Sequence, residues 1–244
     1  MRKTTYIFSI LIALASLPAF AQQNFASISF GASLPMGDYG LTGDLASNGY
    51  ARTGGAIKFD AGYFPGSYLG IGGSFSFGSN YAIRDSLLQD MITYVEENAS
   101  SIIDIPEDAE IVYGSGFWNN ISLFLGPHFS IRATQRLYFD IRALAGLSIV
   151  RPPDQELIII FDATEIHSVV SNHKLSFGFT AGGGFRFKLN ENLALKLGVD
   201  CSQAKSKFDY TFDLFSGVAE DVPPIQSGFY VRTLDIMVGL AYAF

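Results

Sequence analysis

The stretch Thr233-Leu-Asp-Ile-Met-Val-Gly-Leu-Ala-Tyr-Ala-Phe244 decides the fold. Leu234, Ile236, Val238, Leu240, Tyr242 and Phe244 occupy every second position. Thr233, Asp235, Met237, Gly239, Ala241 and Ala243 fill the positions between. Successive side chains on a strand point to opposite faces, so this segment is a strand with one greasy face and one small or polar face.

The same period recurs upstream. Leu193, Leu195, Leu197 and Val199 alternate with Ala194, Lys196, Gly198 and Asp200. Leu175, Phe177, Phe179, Phe185 and Phe187 alternate with Ser176, Gly178, Thr180, Gly184 and Arg186. Leu137, Phe139, Ile141, Leu147 and Ile149 oppose Tyr138, Asp140, Arg142, Gly146 and Ser148. Further segments run through 121–130, where Phe124 breaks the pattern, and through 69–77, 57–63 and 27–34. About eight segments result, each near the ~9–11 residues that a tilted strand needs to cross a bilayer.

Their connections alternate in length. Phe64-Pro-Gly-Ser67, Ala133-Thr-Gln135 and Asn190-Glu-Asn192 are tight, whereas long polar stretches lie near 36–52, 80–114, 151–172 and 206–228. Short turns at one end and long loops at the other are the pattern of a membrane barrel, with the short turns periplasmic. The sequence therefore predicts an all-β fold over residues 22–244: an eight-stranded antiparallel transmembrane up-and-down barrel. Ile83, Leu87, Met91, Ile92 and Val95 follow helical spacing and predict one short helix in the second long loop.

The N-terminus predicts export. Arg2 and Lys3 precede a short apolar core, and Ala19-Phe-Ala21 places small residues at −3 and −1 before Gln22. This is a signal peptide over residues 1–21, cleaved after Ala21, with a core too short to span a bilayer. The formal charge of −7 excludes the basic footprint of a nucleic-acid binder. Charged residues are only 16% of the chain, although hydrophobic ones are 48%. That pairing suits a wall facing lipid better than a solvated surface. Cys201 is the single cysteine, so no intramolecular disulfide holds the fold.

Alternation alone leaves open whether the greasy face points out, as in a membrane barrel, or in, as in a soluble lipid-binding barrel. Three features favour apolar-out. The other face is rich in Gly, Ala and Ser. Its charges balance, with Lys58, Arg142, Arg186 and Lys196 against Asp60, Asp140, Asp200 and Asp235. Tyr63, Phe64, Tyr68, Tyr138, Phe187, Tyr230 and Tyr242 cluster toward strand ends, as interfacial girdles do. The eight charges form a candidate lumen network that fills the barrel. The competing reading is a gated ion path, but a lumen of this strand number is normally filled.

The chain resembles small outer-membrane barrels of the OmpA/OmpX-like type, in the form common in Bacteroidetes. The residues that carry the likeness are the Ala19-Phe-Ala-Gln-Gln23 junction, Phe30-Gly-Ala-Ser-Leu-Pro-Met-Gly-Asp-Tyr39, and Leu240-Ala-Tyr-Ala-Phe244. The resemblance implies an outer-membrane location among lipid and lipopolysaccharide. It also implies that Tyr242 and Phe244 serve as an assembly signal read by the barrel-assembly machinery. The periplasmic domain of longer relatives is not expected after the last strand.

Catalytic constellations are weak. His128 and Ser130 form a His-x-Ser pair on a lumen-facing parity, similar to the pair used by outer-membrane lipid A deacylases, but the sequence shows no acidic partner. His167 and His173 lie near Asp162 and Glu165 with no zinc-like spacing and read as loop residues. Gly182-Gly-Gly184 lacks the Lys-Ser/Thr of a phosphate loop and reads as close strand packing. No cofactor, metal or catalytic residue is predicted. The expected role is structural or adhesive, with a small-ligand or ion transporter and a lipid hydrolase as alternatives. The acidic loop 80–114 (Asp85, Asp90, Glu96, Glu97, Asp104, Glu107, Asp108 and Glu110 against Arg84) is the candidate contact for an extracellular partner or bridging cations; the alternative is a solvated loop whose helix covers the barrel mouth. The run Leu157-Ile-Ile-Ile-Phe161 is expected to extend a strand above the membrane.

Overall fold

The computed structural model describes residues 24–66, 68–99, 110–153, 155–161, 164–171, 174–214 and 225–244. The predicted signal peptide and the acidic segment 100–109 lie outside the described residues. The strands are β1 (Phe25–Met36), β2 (Gly54–Tyr63), β3 (Leu69–Tyr81), β4 (Glu110–Ser115), β5 (Phe117–Arg132) and β6 (Leu137–Arg151). They continue as β7 (Gln155–Phe161), β8 (Thr164–Ser171), β9 (Lys174–Lys188), β10 (Leu193–Leu214) and β11 (Ile225–Ala243). A helix, α1, spans Arg84–Ala99, and a single 3-10 turn covers Gly37–Tyr39.

Eight strands close a ring in the order β1-β2-β3-β5-β6-β9-β10-β11, and β11 pairs back onto β1. Every pairing is antiparallel. Closure has a physical reason: in hydrocarbon each backbone amide must find a partner, and only a ring leaves no edge. Among the described residues no helix is long and apolar enough to cross a membrane.

The greasy face points out. Phe30 is 65% exposed, Ile71 65%, Leu125 61% and Phe177 68%, while the alternate positions Ser29, Ser74, Ser130 and Thr180 are buried. Phe124, the one break in the pattern, is a lumen residue with 3% exposure. Its strand parity is intact, and only its hydrophobicity departs from its neighbours.

Two expectations need correction. The stretches 151–172 and 206–228 are largely strand rather than long polar loops; only the extension at residues 157–161, which falls in β7, is expected from the sequence. Residues 155–171 form the β7–β8 hairpin, β10 runs on to Leu214, and β11 begins at Ile225. β10 outlasts its partner β9 at Ala204 and passes the same edge to β8, from Asp209↔Ser171 to Leu214↔Ile166. β7 and β4 extend that second sheet beyond the ring. Glu165 and His167 therefore sit on a strand, while Asp162 and His173 lie outside the described residues. The girdle also loses two members. Phe64 and Tyr138 are buried inside the barrel at 3% and 2% exposure, whereas Tyr68, Phe187, Tyr230 and Tyr242 face outward. Aromatic content at a strand end does not reveal which face the ring takes; position parity does.

Candidate functional site

The lumen is filled in strata. Nearest the short turns, Phe25, Phe64, Ala194 and Ala241 form a small apolar cluster. Phe25 stacks on Phe64 and meets the His128 ring edge-on at 5.6 Å. The Arg186 guanidinium lies 3.8 Å from the Phe25 centroid. Cation and ring thus share one wall, a contact that strengthens when both are desolvated.

Above this plug sit the eight lumen charges, all buried. Arg142 bridges two carboxylates: its Nη1 lies 2.7 Å from Asp60 Oδ1, and its Nε and Nη2 donate to Asp200 at 3.0 and 2.6 Å. Lys58 Nζ reaches Asp200 at 3.0 Å and Asp235 at 2.9 Å. Lys196 pairs with Asp60 and donates to Ser27 Oγ at 3.1 Å. Arg186 grips Asp140 with two bonds of 2.6 and 2.9 Å and donates to Ser130 Oγ at 2.7 Å. Each charge finds an opposite one, the condition under which ions persist in a low-dielectric interior.

Small residues make this possible. A Cβ on Gly182 would stand 2.1 Å from Asp200 Oδ1, and one on Gly72 would stand 2.8 Å from His128 Nδ1. The run Gly182-Gly-Gly184 is thus close packing around the network. Among the network lies a cavity of about 20 Å³ lined by Ser29, Asp60, His128, Asp140, Arg142, Lys196 and Asp200, room for about one water.

His128 does have an acidic neighbour that the sequence did not reveal: its Nε2 lies 3.6 Å from Asp140 Oδ1. His128, Ser130 and Asp140 therefore converge. The Ser130 hydroxyl, however, accepts from Arg186, and all three side chains are buried. A substrate carbonyl has no room beside such a serine, and a nucleophile needs an oriented base. Among the described residues no group of His, Cys, Asp and Glu could hold a metal ion.

Toward the long loops, Ser122, Ser148 and Asn120 share hydrogen bonds of 2.7–3.1 Å. Beyond them lies a larger apolar plug built from Tyr39, Leu45, Tyr50, Leu87, Met91, Trp118, Val150, Phe208, Ile225, Phe229 and Val231. Trp118 meets Tyr39, Phe208 and Phe229 at centroid distances of 5.4–5.8 Å. Burial, with Asp235 adding to it, pushes the Tyr39 phenol above its usual range, so Tyr39 stays neutral. Its hydroxyl donates to Asn80 Oδ1 at 3.3 Å.

α1 covers this plug. Leu87 and Met91 are 1% and 0% exposed, and Asp90 accepts from the Tyr50 hydroxyl and from Gly43 N–H. Tyr50 adopts φ 52°, a left-handed conformation that costs a bulky residue energy and is held by these surrounding bonds. Asp44 accepts from Ser47 and Ala46, which lowers its pKa and fixes the first loop. A helix covering the mouth was one reading of the sequence; the apolar residues beneath it were missed, although one signal was present: Trp118 shares parity with Asn120 and Ser122, so its ring had to turn inward.

The remaining sequence-predicted positions lie on the wall. Tyr242 and Phe244 are 56% and 57% exposed at the short-turn end, and Cys201 is exposed on β10.

A family model described as an outer membrane protein beta-barrel domain matches residues 7–244. No curated protein matches. Among solved structures, the chain is similar to Neisserial surface protein A at 11% identity, covering 91% of this chain and 97% of that one, with a TM-score of 0.43. It is similar to Ail, the attachment invasion locus protein of Yersinia pestis, at 15% identity, with 91% and 99% coverage and a TM-score of 0.41. It is also similar to OprG of Pseudomonas aeruginosa at 12% identity, with 92% and 97% coverage and a TM-score of 0.47.

Proposed function

The chain belongs to the outer membrane protein beta-barrel domain family, and from that premise we propose that it is a non-catalytic, non-conducting barrel whose long-loop end carries its interactions. The observation that carries this reading is the paired charge network around a cavity of about 20 Å³, between two apolar plugs. A hydrated ion needs a continuous path. Here every cation is already held by carboxylates and the mouth is capped by α1. The network's role is to fill the lumen and fix strand register, at the cost of desolvating eight charges that then satisfy one another.

In this reading residues 1–21 are an export signal cleaved after Ala21, and the short turns lie in the periplasm. Tyr242 and Phe244 are presented to the barrel-assembly machinery, and the long-loop end, with α1 and β7–β8, faces outward to a partner. Planar-bilayer recording from purified protein tests the closed lumen. Electrically silent insertion is expected, and large stable conductance steps would overturn it.

A further inference from the structure

We propose that the outward face of the β10–β11 hairpin, just beyond the apolar band, binds the phosphorylated headgroup of a lipid in the leaflet on the long-loop side. The inference deepens the outer-membrane reading above and rests on it.

Going up β10, the outward positions run Leu195, Leu197, Val199 and Cys201, then change to Gln203, Lys205 and Lys207. Lys205 pairs across the ladder with Tyr230, and Gln203 with Arg232. Lys205 Nζ lies 5.8 Å and Arg232 Cζ 5.4 Å from the centroid of the Tyr230 ring, so two cations share one outward aromatic base. Arg232 Nε donates to Gln203 Oε1 at 2.8 Å, which orients the guanidinium along the wall. Lys205, Lys207 and Tyr230 are exposed.

The patch runs against the rest of the molecule. The chain is net acidic, and the aspartates of the ring strands' charge network turn inward to pair with lumen cations. Among the described residues no carboxylate lies within ion-pair distance of Lys205, Lys207 or Arg232. Asp38 and Asp209, the acidic positions flanking the patch, stand outside that distance.

Height decides the ligand. The Lys205–Tyr230 pair lies ten positions above the Leu195–Leu240 pair on the same two strands. At ~3.4 Å per residue and a tilt of ~40°, that is about 25 Å, the thickness of a barrel's apolar band. Two cations on a tyrosine, with Lys207 two positions further along β10, meet phosphates at that level, not acyl chains and not open water. A phosphate-bearing lipid also continues downward onto Val199, Cys201 and Ile236, which a soluble anion does not.

The test uses the full mature chain in phosphatidylcholine nanodiscs doped with bis-phosphorylated lipid A or with its enzymatically dephosphorylated form. Retained lipid is counted by native mass spectrometry. Wild type is expected to retain the phosphorylated lipid preferentially and to lose it as salt rises from about 50 to about 500 mM. The triple variant K205Q/K207Q/R232Q should bind at least about tenfold more weakly, since each cation near an anionic surface contributes several-fold. Heat-modifiable gel mobility reports that the variant is folded. If it is not, the exposed Lys207→Gln alone should still weaken retention, whereas the charge-keeping K205R/K207R should retain the lipid as wild type does. Equal retention by folded variant and wild type, or by both lipid forms, overturns the proposal. Displacement by millimolar inorganic phosphate also overturns it, by making the patch a soluble-anion site. Failure of wild type to enter a bilayer at all sinks the membrane-barrel reading, and this proposal with it.

Discussion

At the scale of single residues, Arg142 holds most of the lumen together. Its guanidinium joins Asp60 to Asp200, which Lys196 and Lys58 then complete. Replacing it with Met keeps volume but leaves two buried carboxylates facing each other without their shared cation. Such half-broken pairs cost about 3–5 kcal/mol, more than the intact pair contributes. Arg142→Met should therefore lower the urea midpoint of the folded barrel sharply, and Arg142→Lys should restore only part, because an ammonium cannot fork between two carboxylates. An unchanged midpoint for Arg142→Met would show that the network is not required for stability. Parity in the sequence turned all eight charges inward, yet it could not say which pairs with which. Lys58 and Asp200 are 142 positions apart and meet only because the ring closes through β1 and β11. Arg142 and Asp200, 58 positions apart, meet across Gly182 of the strand between them, so the strand order sets the pair. His128 and Asp140 were illegible because they sit on adjacent strands, where the register sets the contact.

At the scale of elements, α1 shows what periodicity can and cannot deliver. Ile83, Leu87, Met91 and Ile92 announced a helix with one apolar face, and Leu87 and Met91 are that face. A helix over the barrel mouth was one of the two readings of this loop, but the residues beneath it were not announced, because the plug is assembled from β5, β6, β10, β11 and the first loop. The strand extensions were hidden differently. Polar residues in 206–214 read as loop, but above a membrane a strand need not be greasy, and β10 continues by pairing with β8 and β11. The sole tryptophan, Trp118, reports directly on the cap, since it is 2% exposed under α1. Deleting residues 83–110 removes no ring strand, so the barrel should still show heat-modifiable mobility while Trp118 emission shifts red and becomes open to acrylamide. The double variant Leu87→Ala/Met91→Ala should give a partial shift, with each truncation costing roughly 2–5 kcal/mol of cap packing. Unaltered emission after the deletion would mean that the plug is sealed without α1.

At the scale of the whole molecule, one alternative to the membrane barrel deserves a physical contest: a soluble barrel whose period is the same but whose faces are reversed. The ring places Phe30, Ile71, Leu125 and Phe177 outside and ions inside, and a water-soluble protein would have to solvate that apolar belt at a prohibitive cost in area. Cys201 turns the contest into a measurement. It is the only thiol and lies exposed on the outward face of β10, between Leu234 on β11 and Ala181 on β9. It stands eight positions above Leu193, which puts it within the hydrocarbon for strands rising about 2.5 Å per residue along the normal. In bilayers, a charged maleimide should leave Cys201 unlabelled, whereas a lipid-soluble maleimide should modify it. Urea unfolding should make both reagents equivalent. Rapid labelling by the charged reagent in an intact bilayer would place the β10 wall in water, and the outward band could not then be the surface that meets lipid.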